Sequence, residues 1–327
     1  MSAKTVLGLL PVFVVALSLQ PAQAANGDAH VDIYGKLELQ GLYVEQGLLR
    51  YADQGWQIEA PSSRLGAKAS QALAADWSLL AVYEWQVNGL DHANQHHRFG
   101  SRNLYAGIAN PSFGELTFGK NDSRFKRAEG KVDLFNETLA DLAQLTAGQD
   151  RLENVLSYQS PDWQGLHIAT TWQSGVSDET AGGYDVAVSY GDATLKRQPY
   201  YVAYARVHAL NQLDANRLTV QHSLGHIHTG HVSGGLMWQR SKHLTKALAG
   251  NAYLIQLAYQ LQAWTYKVQT QLDTSRIRHA SIGRAIHIGA DYLQQNDMQW
   301  YVLTSYIDFV GTHDHATAIG FRWNFKL

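Results

Sequence analysis

The chain has 327 residues, a formal net charge of -2 and no cysteine. So even a charge balance leaves no basic face for nucleic acid, and the absence of thiols excludes a disulfide framework, a thiolate metal site and a cysteine nucleophile. With 28 Gly, 17 Tyr and 9 Trp against only 6 Pro, the composition favours pleated sheet rich in aromatic residues.

Residues 1–24 read as a signal peptide. Lys4 precedes an apolar run from Val6 to Leu19, and Ala22-Gln23-Ala24 supplies a small-residue cleavage site, so the mature chain is expected to begin at Ala25 and to form one unit over 25–327. No later stretch holds the roughly 18 consecutive apolar residues of a helical membrane span, so any membrane role falls to strands.

Candidate strands follow near 30–45, 62–72, 77–88, 101–109, 114–121, 152–160, 165–174, 183–191, 194–208, 215–224, 227–242, 250–262, 264–278, 281–295, 298–311 and 314–327. That is an even number, sixteen, each long enough for a tilted span of about 9 to 11 residues. In the first, Val31, Ile33, Leu37 and Leu39 alternate with Asp32, Tyr34, Lys36, Glu38 and Gln40. Tyr253, Ile255, Leu257, Tyr259 and Leu261 alternate with Gln256, Ala258, Gln260 and Gln262, and Trp264, Tyr266, Val268 and Leu272 with Thr265, Lys267, Gln269, Gln271 and Asp273. The last runs to the chain end, with Ile319, Phe321, Trp323, Phe325 and Leu327 opposite Ala318, Gly320, Arg322, Asn324 and Lys326. Long polar side chains on one face need water beside them, which only a wide barrel encloses. The fold class is therefore all-β: a 16-stranded antiparallel transmembrane β-barrel around an aqueous lumen. Trp77 to Val87 has apolar residues on both faces, and Gln299 to Val310 lacks clean alternation.

One interval breaks the rhythm. Asn121 to Asp150 has no alternating run, but Leu134, Leu139, Leu142 and Leu145 fall near helical spacing behind Asp133, a candidate N-cap. Asp133, Glu137 and Asp141 are four apart, which predicts three carboxylates along one face of a short helix, either a solvated face or part of a site. From Lys120 to Arg151 the cations Lys120, Arg124, Lys126, Arg127, Lys131 and Arg151 balance Asp122, Glu129, Asp133, Glu137, Asp141 and Asp150, so strong ion selectivity is not predicted.

Several of these stretches, taken in order, resemble the general diffusion porins of Gram-negative bacteria. They are Val31-Asp32-Ile33-Tyr34-Gly35-Lys36, Ser63-Arg64-Leu65-Gly66-Ala67-Lys68, Asn103-Leu104-Tyr105-Ala106-Gly107, Phe113-Gly114-Glu115-Leu116-Thr117-Phe118-Gly119-Lys120, Ser157-Tyr158-Gln159-Ser160-Pro161 with Gly165-Leu166, and the aromatic C-terminus. The resemblance implies a homotrimer in the outer membrane whose long third loop folds into the lumen, passing small hydrophilic solutes and ions by passive diffusion. Its other partners would be outer-membrane lipid and the barrel-assembly machinery that reads the C-terminal strand. It places acidic constriction residues at Asp133 and Glu137, with Asp141 beside them, and a basic set at Lys36, Arg64, Arg102 and Arg151. Lys36 and Arg64 also lie on the polar parity of their strands. Two departures stand out: Asn136-Glu137-Thr138-Leu139 replaces a turn that usually contains Pro, Phe and Gly, and Lys326-Leu327 follows a Phe that is usually terminal.

Other readings carry less. His222, His226, His228 and His231 have metal-ligating side chains, as do His96 and His97, but no cysteine or carboxylate cluster accompanies them and no metal is expected. Ser281 and His287 are candidates for a membrane-barrel lipase, in an undistinguished context, and enzymatic activity is not expected. No motif asks for a cofactor. A substrate-specific channel needs an aromatic track along the lumen, whereas most Trp and Tyr here lie on outward parity. An adhesin or structural barrel needs long external loops, of which only 121–150 qualifies.

Overall fold

The computed structural model describes residues 29–49, 52–87, 99–175, 182–295 and 297–327. The segment 1–24, read above as a signal peptide, and the pair His96 and His97 lie outside the described residues. The strands are β1 (His30–Val44), β2 (Gly55–Glu59), β3 (Arg64–Ala72), β4 (Ser78–Val87), β5 (Phe99–Asn110), β6 (Gly114–Asp122), β7 (Arg151–Gln159), β8 (Leu166–Gln173), β9 (Gly183–Gly191), β10 (Tyr200–His208), β11 (Leu213–Ile227), β12 (Gly230–His243), β13 (Ala249–Leu261), β14 (Trp264–Asp273), β15 (Gly283–Gln295), β16 (Met298–Phe309) and β17 (Thr312–Lys326). Each pairs antiparallel with its sequence neighbour, and β1 closes on β17 from Tyr34↔Lys326 to Val44↔Ala316.

These segments make sixteen strands, because β2 and β3 are two parts of one. Both pair with β1, Gln40 facing Glu59 in the upper part and Lys36 facing Arg64 in the lower. Between them lies Ala60-Pro61-Ser62-Ser63, where Pro61 has no N–H for the ladder. The Ser63 hydroxyl takes over the lost bonding, accepting from Glu38 N at 2.9 Å and donating to Glu38 O at 3.0 Å.

Alternation sets the faces. On β13, Tyr253, Ile255 and Leu257 are exposed on the outside while Leu254, Gln256 and Ala258 are buried. On β1, Val31, Ile33, Leu37 and Leu39 face out and Lys36, Glu38 and Gln40 are buried. The tight turns 228–229 and 262–263 lie at the end of the barrel that carries the termini, whereas the long connections 45–54 and 123–150, with the tight turn 310–311, lie at the other end.

The 123–150 segment is built of turns, one short helix α1 (Arg124–Arg127) capped by Ser123, and a single 3-10 turn at Leu142–Gln144. The expected helix starting at Asp133 is absent. Instead the segment lies against the buried faces of the wall: Gln221 Oε1 accepts from Lys131 N at 2.9 Å, Gln269 Oε1 from Leu134 N at 2.9 Å, and Gln239 Nε2 donates to Ala147 O at 2.9 Å. Its leucines do not form a helical stripe. Leu139 and Leu145 join Phe135 in a cluster with Leu303, Ile307 and Phe309, and Leu142 joins Val132 with Met237 and Leu254. That contact explains why Gln299 to Val310 shows no polar parity. The inner face of β16 carries Tyr301, Leu303 and Ile307 because loop side chains, not water, cover it.

Candidate functional site

Lys36 on β1, Arg64 at the start of β3 and Arg102 on β5 project from three neighbouring parts of the wall and converge on one loop carboxylate, Glu137. Lys36 Nζ lies 2.7 Å from Glu137 Oε2 and Arg64 Nη1 2.5 Å from Oε1, which Arg102 Nη2 also contacts. Burial alone would raise the Glu137 carboxyl, but the Lys36, Arg64 and Arg102 charges outweigh it and hold the group well below the usual carboxylate range.

Two wall carboxylates share the same cations. Glu84 Oε1 lies 2.8 Å from Arg102 Nε, and Glu84 accepts from Tyr34 Oη at 3.0 Å and from Asn103 Nδ2 at 3.1 Å. Glu38 lies 2.8 Å from both Lys36 Nζ and Arg322 Nη2, and Oε1 accepts from Tyr301 Oη at 3.1 Å. Arg151 stands beside the cluster without touching Glu137: Nε donates to Asn103 Oδ1 at 2.8 Å and Nη2 lies 3.2 Å from Asp122 Oδ1. A cavity of about 460 Å³ bordered by Gln40, Glu59, Lys126 and Arg151 opens on one side of Glu137 and Arg102. Another, of about 400 Å³ and bordered by Lys36, Arg64, Lys68, Glu84 and Arg127, opens on the other side of the cluster.

Asp133 and Asp141 are used differently. Asp133 accepts from Phe135 N at 3.0 Å, Leu142 N at 2.7 Å and Gln269 Nε2 at 3.0 Å, which ties both ends of the loop tip to β14. Asp141 accepts from Ala143 N at 2.7 Å and from Glu137 N at 2.6 Å, so it orients the residue that meets the cations. Burial raises both carboxyls, with the charges of Asp141 and Glu129 adding to the effect at Asp133. Arg217 is fully buried under the loop, 3.5 Å from Glu129 Oε2, and donates to Gln239 Oε1 at 2.8 Å and Phe125 O at 3.2 Å.

Glu38 and Arg322 were already on polar parity in the sequence, so their inward position was readable and their pairing was not. Glu84 gave no such signal, because its strand is apolar on both faces. Elsewhere, His226 and His231 face each other across β11 and β12 with ring centroids 5.4 Å apart, and His231 Nε2 shares a hydrogen bond with Ser223. Among the described residues no three His, Asp or Glu side chains gather as a metal site. The Ser281 hydroxyl accepts from Val310 N, whereas His287 is buried and bonded to Ser305 and Gln271.

A closed sixteen-stranded barrel, apolar outside and charged within, defines a β-barrel protein of the outer membrane. The sequence pattern of the Gram-negative porins matches residues 12–312, and the chain belongs to that family. Over 209 residues it is 24% identical to outer membrane porin C of Serratia marcescens, covering 60% of this chain and 52% of that protein. The chain thus spans about half the length of this curated relative. Its fold is similar to the anion-selective porin from Comamonas acidovorans, with a TM-score of 0.71 at 16% identity over 91% of this chain and 100% of that one. It is likewise similar to Salmonella typhi OmpF in complex with daunomycin, with a TM-score of 0.71 at 13% identity over 90% and 97%. The trimer form of OmpT from Vibrio cholerae gives 0.65 at 13% identity over 91% and 99%.

Proposed function

We propose that the protein forms a water-filled channel through which small hydrophilic solutes and ions diffuse passively across the outer membrane. The 123–150 loop folds into the lumen, and Glu137 with Lys36, Arg64 and Arg102 forms its narrowest part, with Arg151 at the margin. Asp133 and Asp141 hold the tip in place. The observation that carries this reading is the convergence of three wall cations on one loop carboxylate between two cavities. Opposed charges across watery space create a transverse field that favours polar solutes over apolar ones.

The working unit is a homotrimer, in keeping with the trimer form of OmpT. Outer-membrane lipid covers the apolar wall, the barrel-assembly machinery reads β17, and residues 1–24 are removed on export. Mass spectrometry of protein isolated from outer membranes tests the cleavage point: a mature N-terminus other than Ala25 overturns it.

The test of function is single-channel conductance of the refolded protein in a planar bilayer under a KCl gradient, with sugars of increasing size. Steps in groups of three, linear in salt and indifferent to sugar identity below a size limit, are expected. Saturation by one sugar would point to a substrate-specific channel, and a folded but silent barrel to a structural or adhesive role.

A further inference from the structure

The hairpin of β11 and β12 is not regular. Its register runs from Leu213↔His243 to Ser223↔Ser233 and then shifts, so that Leu224 has no partner and Gly225 faces Val232. Gly225 takes φ +93, a conformation that a side chain would strain. One extra residue reverses the parity of everything after it. Up to the bulge the odd-numbered residues of β11, among them Arg217, Thr219 and Gln221, are the buried inner ones. Beyond it His226 takes the inner face, directly opposite His231. A regular ladder would instead set His226 against Gly230 and turn it away from the lumen.

His231 lies on the inner parity of β12 with the buried Met237, Gln239 and Ser241. The two imidazole rings stand edge to face, their centroids 5.4 Å apart and their planes at 75°. A divalent ion about 2.1 Å from one nitrogen of each ring would lie about 3.2 Å from each centroid, which at a tetrahedral angle sets the centroids roughly 5 Å apart. The observed spacing therefore fits a chelate without movement of either strand. Ser223, the last inner residue before the bulge, shares a hydrogen bond with His231 Nε2 at 2.7 Å, which fixes that ring through one nitrogen and leaves Nδ1. His226 is exposed and has no hydrogen-bond partner among the described residues. Both histidines adjoin the tight turn 228–229, at the end of the barrel that carries the termini, where short turns mark the periplasmic side.

We propose that His226 and His231 form a binding site for a divalent transition-metal cation at the periplasmic rim of the lumen. Imidazole suits zinc, copper and nickel, whereas calcium and magnesium ask for oxygen ligands, so the pair selects the first group. No third His, Asp or Glu joins them among the described residues, so water fills the remaining positions and the ion exchanges freely with the lumen. His222 and His228 take no part. His222 lies on the outer parity before the bulge, and His228 sits in the turn with φ +53. The site rests on the barrel and its bulge, not on conductance, so a silent barrel would leave it standing.

The tag-free, refolded protein would be titrated with Zn²⁺ by isothermal calorimetry, with excess Ca²⁺ as competitor. Wild type is expected to take up Zn²⁺ saturably and to keep it against Ca²⁺. H226Q and H231Q should each weaken binding more than about tenfold, the lower end of what is lost with a residue that merely supports a metal ligand. Deletion of Leu224, which restores a regular ladder, should do the same with every histidine still in place. H222Q/H228Q and H96Q/H97Q are expected to bind as wild type does. Heat-modifiable mobility in SDS gels checks that each variant is folded, and H226Q, at an exposed position, decides alone if the others are not. Zn²⁺ binding that survives in folded H226Q, or that is lost instead with the other histidine pairs, overturns the proposal. So do displacement by Ca²⁺ and the absence of saturable binding by wild type.

Discussion

Replacing Glu137 by Gln removes one charge from the proposed constriction and nearly preserves shape. Lys36, Arg64, Arg102 and Arg322 face Glu38, Glu84 and Glu137 in this network, so the change leaves four cations against two carboxylates. For an ion passing at roughly 8 Å, one unit of charge is worth about 0.5 kcal/mol in bulk water and about 2 kcal/mol at an effective dielectric constant near 20. The term acts with opposite sign on K⁺ and Cl⁻, so even at the water limit their relative permeability shifts by about 1 kcal/mol, or about fivefold towards anions. Screening reduces this once the Debye length falls well below about 10 Å, so the measurement belongs at or below about 0.1 M salt. The assay is the zero-current potential in a planar bilayer under a KCl gradient. An unchanged potential for a folded, conducting E137Q barrel would refute the placement of Glu137 on the ion path.

Asp133→Ala should leave ion selectivity nearly unchanged yet loosen the loop, because it removes the acceptor of the Phe135 and Leu142 N–H groups, each unsatisfied donor costing about 1–3 kcal/mol; faster protease cleavage within 123–150 reports it, and a selectivity shift as large as that of E137Q contradicts it. Because burial raises the Asp133 and Asp141 carboxyls, the docked loop gains stability as pH falls from their raised values towards the ordinary carboxylate range, whereas the depressed Glu137 carboxyl keeps its contribution until pH drops well below that range. Loop cleavage should therefore be slower at pH 5 than at pH 7.5, and faster cleavage at pH 5 would reverse the assignment. Arg217→Ala strands a buried Glu129 and should cost about 3–5 kcal/mol in loop docking, read as increased cleavage and noisier conductance. Phe135→Ala empties the space beneath Lys267 Nζ, 4.7 Å above the ring, and beside the His287 ring at 5.7 Å; a loss of about 3–5 kcal/mol should appear as higher conductance, with barrel melting little changed.

Strands with polar inner residues were readable from alternation, as in β1, β13 and β14, because polar partners on one side, such as the Leu134 N–H at Gln269, and apolar surroundings on the other impose period two. β16 was located but not patterned, since its inner face meets Phe135 and Leu139 of the loop and carries the same chemistry as its outer face. The break at Pro61 was equally hidden, because the Ser63 hydroxyl lets two pieces serve as one strand. At the site, parity put Lys36 and Arg64 on the inner side, but which carboxylate they meet depends on how a loop more than seventy residues downstream of Arg64 folds. Spacing of four suggested that Asp133, Glu137 and Asp141 act together on a helix. The segment turns instead, sending two of these carboxylates to backbone amides and one to the wall.

Backbone conformation separates the three acids further. Glu137 has φ +64, in the left-handed region where a side chain with Cβ is disfavoured. A glycine would relieve that strain and a proline at this place could not adopt it. The conformation persists because Asp141 accepts the Glu137 N–H and three cations hold the carboxylate, so the strain is offset by the same contacts that place charge between the two cavities. Loop position and local charge are therefore not independent properties of this lumen. If the proposed constriction is right, an anion that drew Lys36, Arg64 or Arg102 away from Glu137 would weaken what holds the tip in its strained form, coupling ion passage to loop position through a single residue.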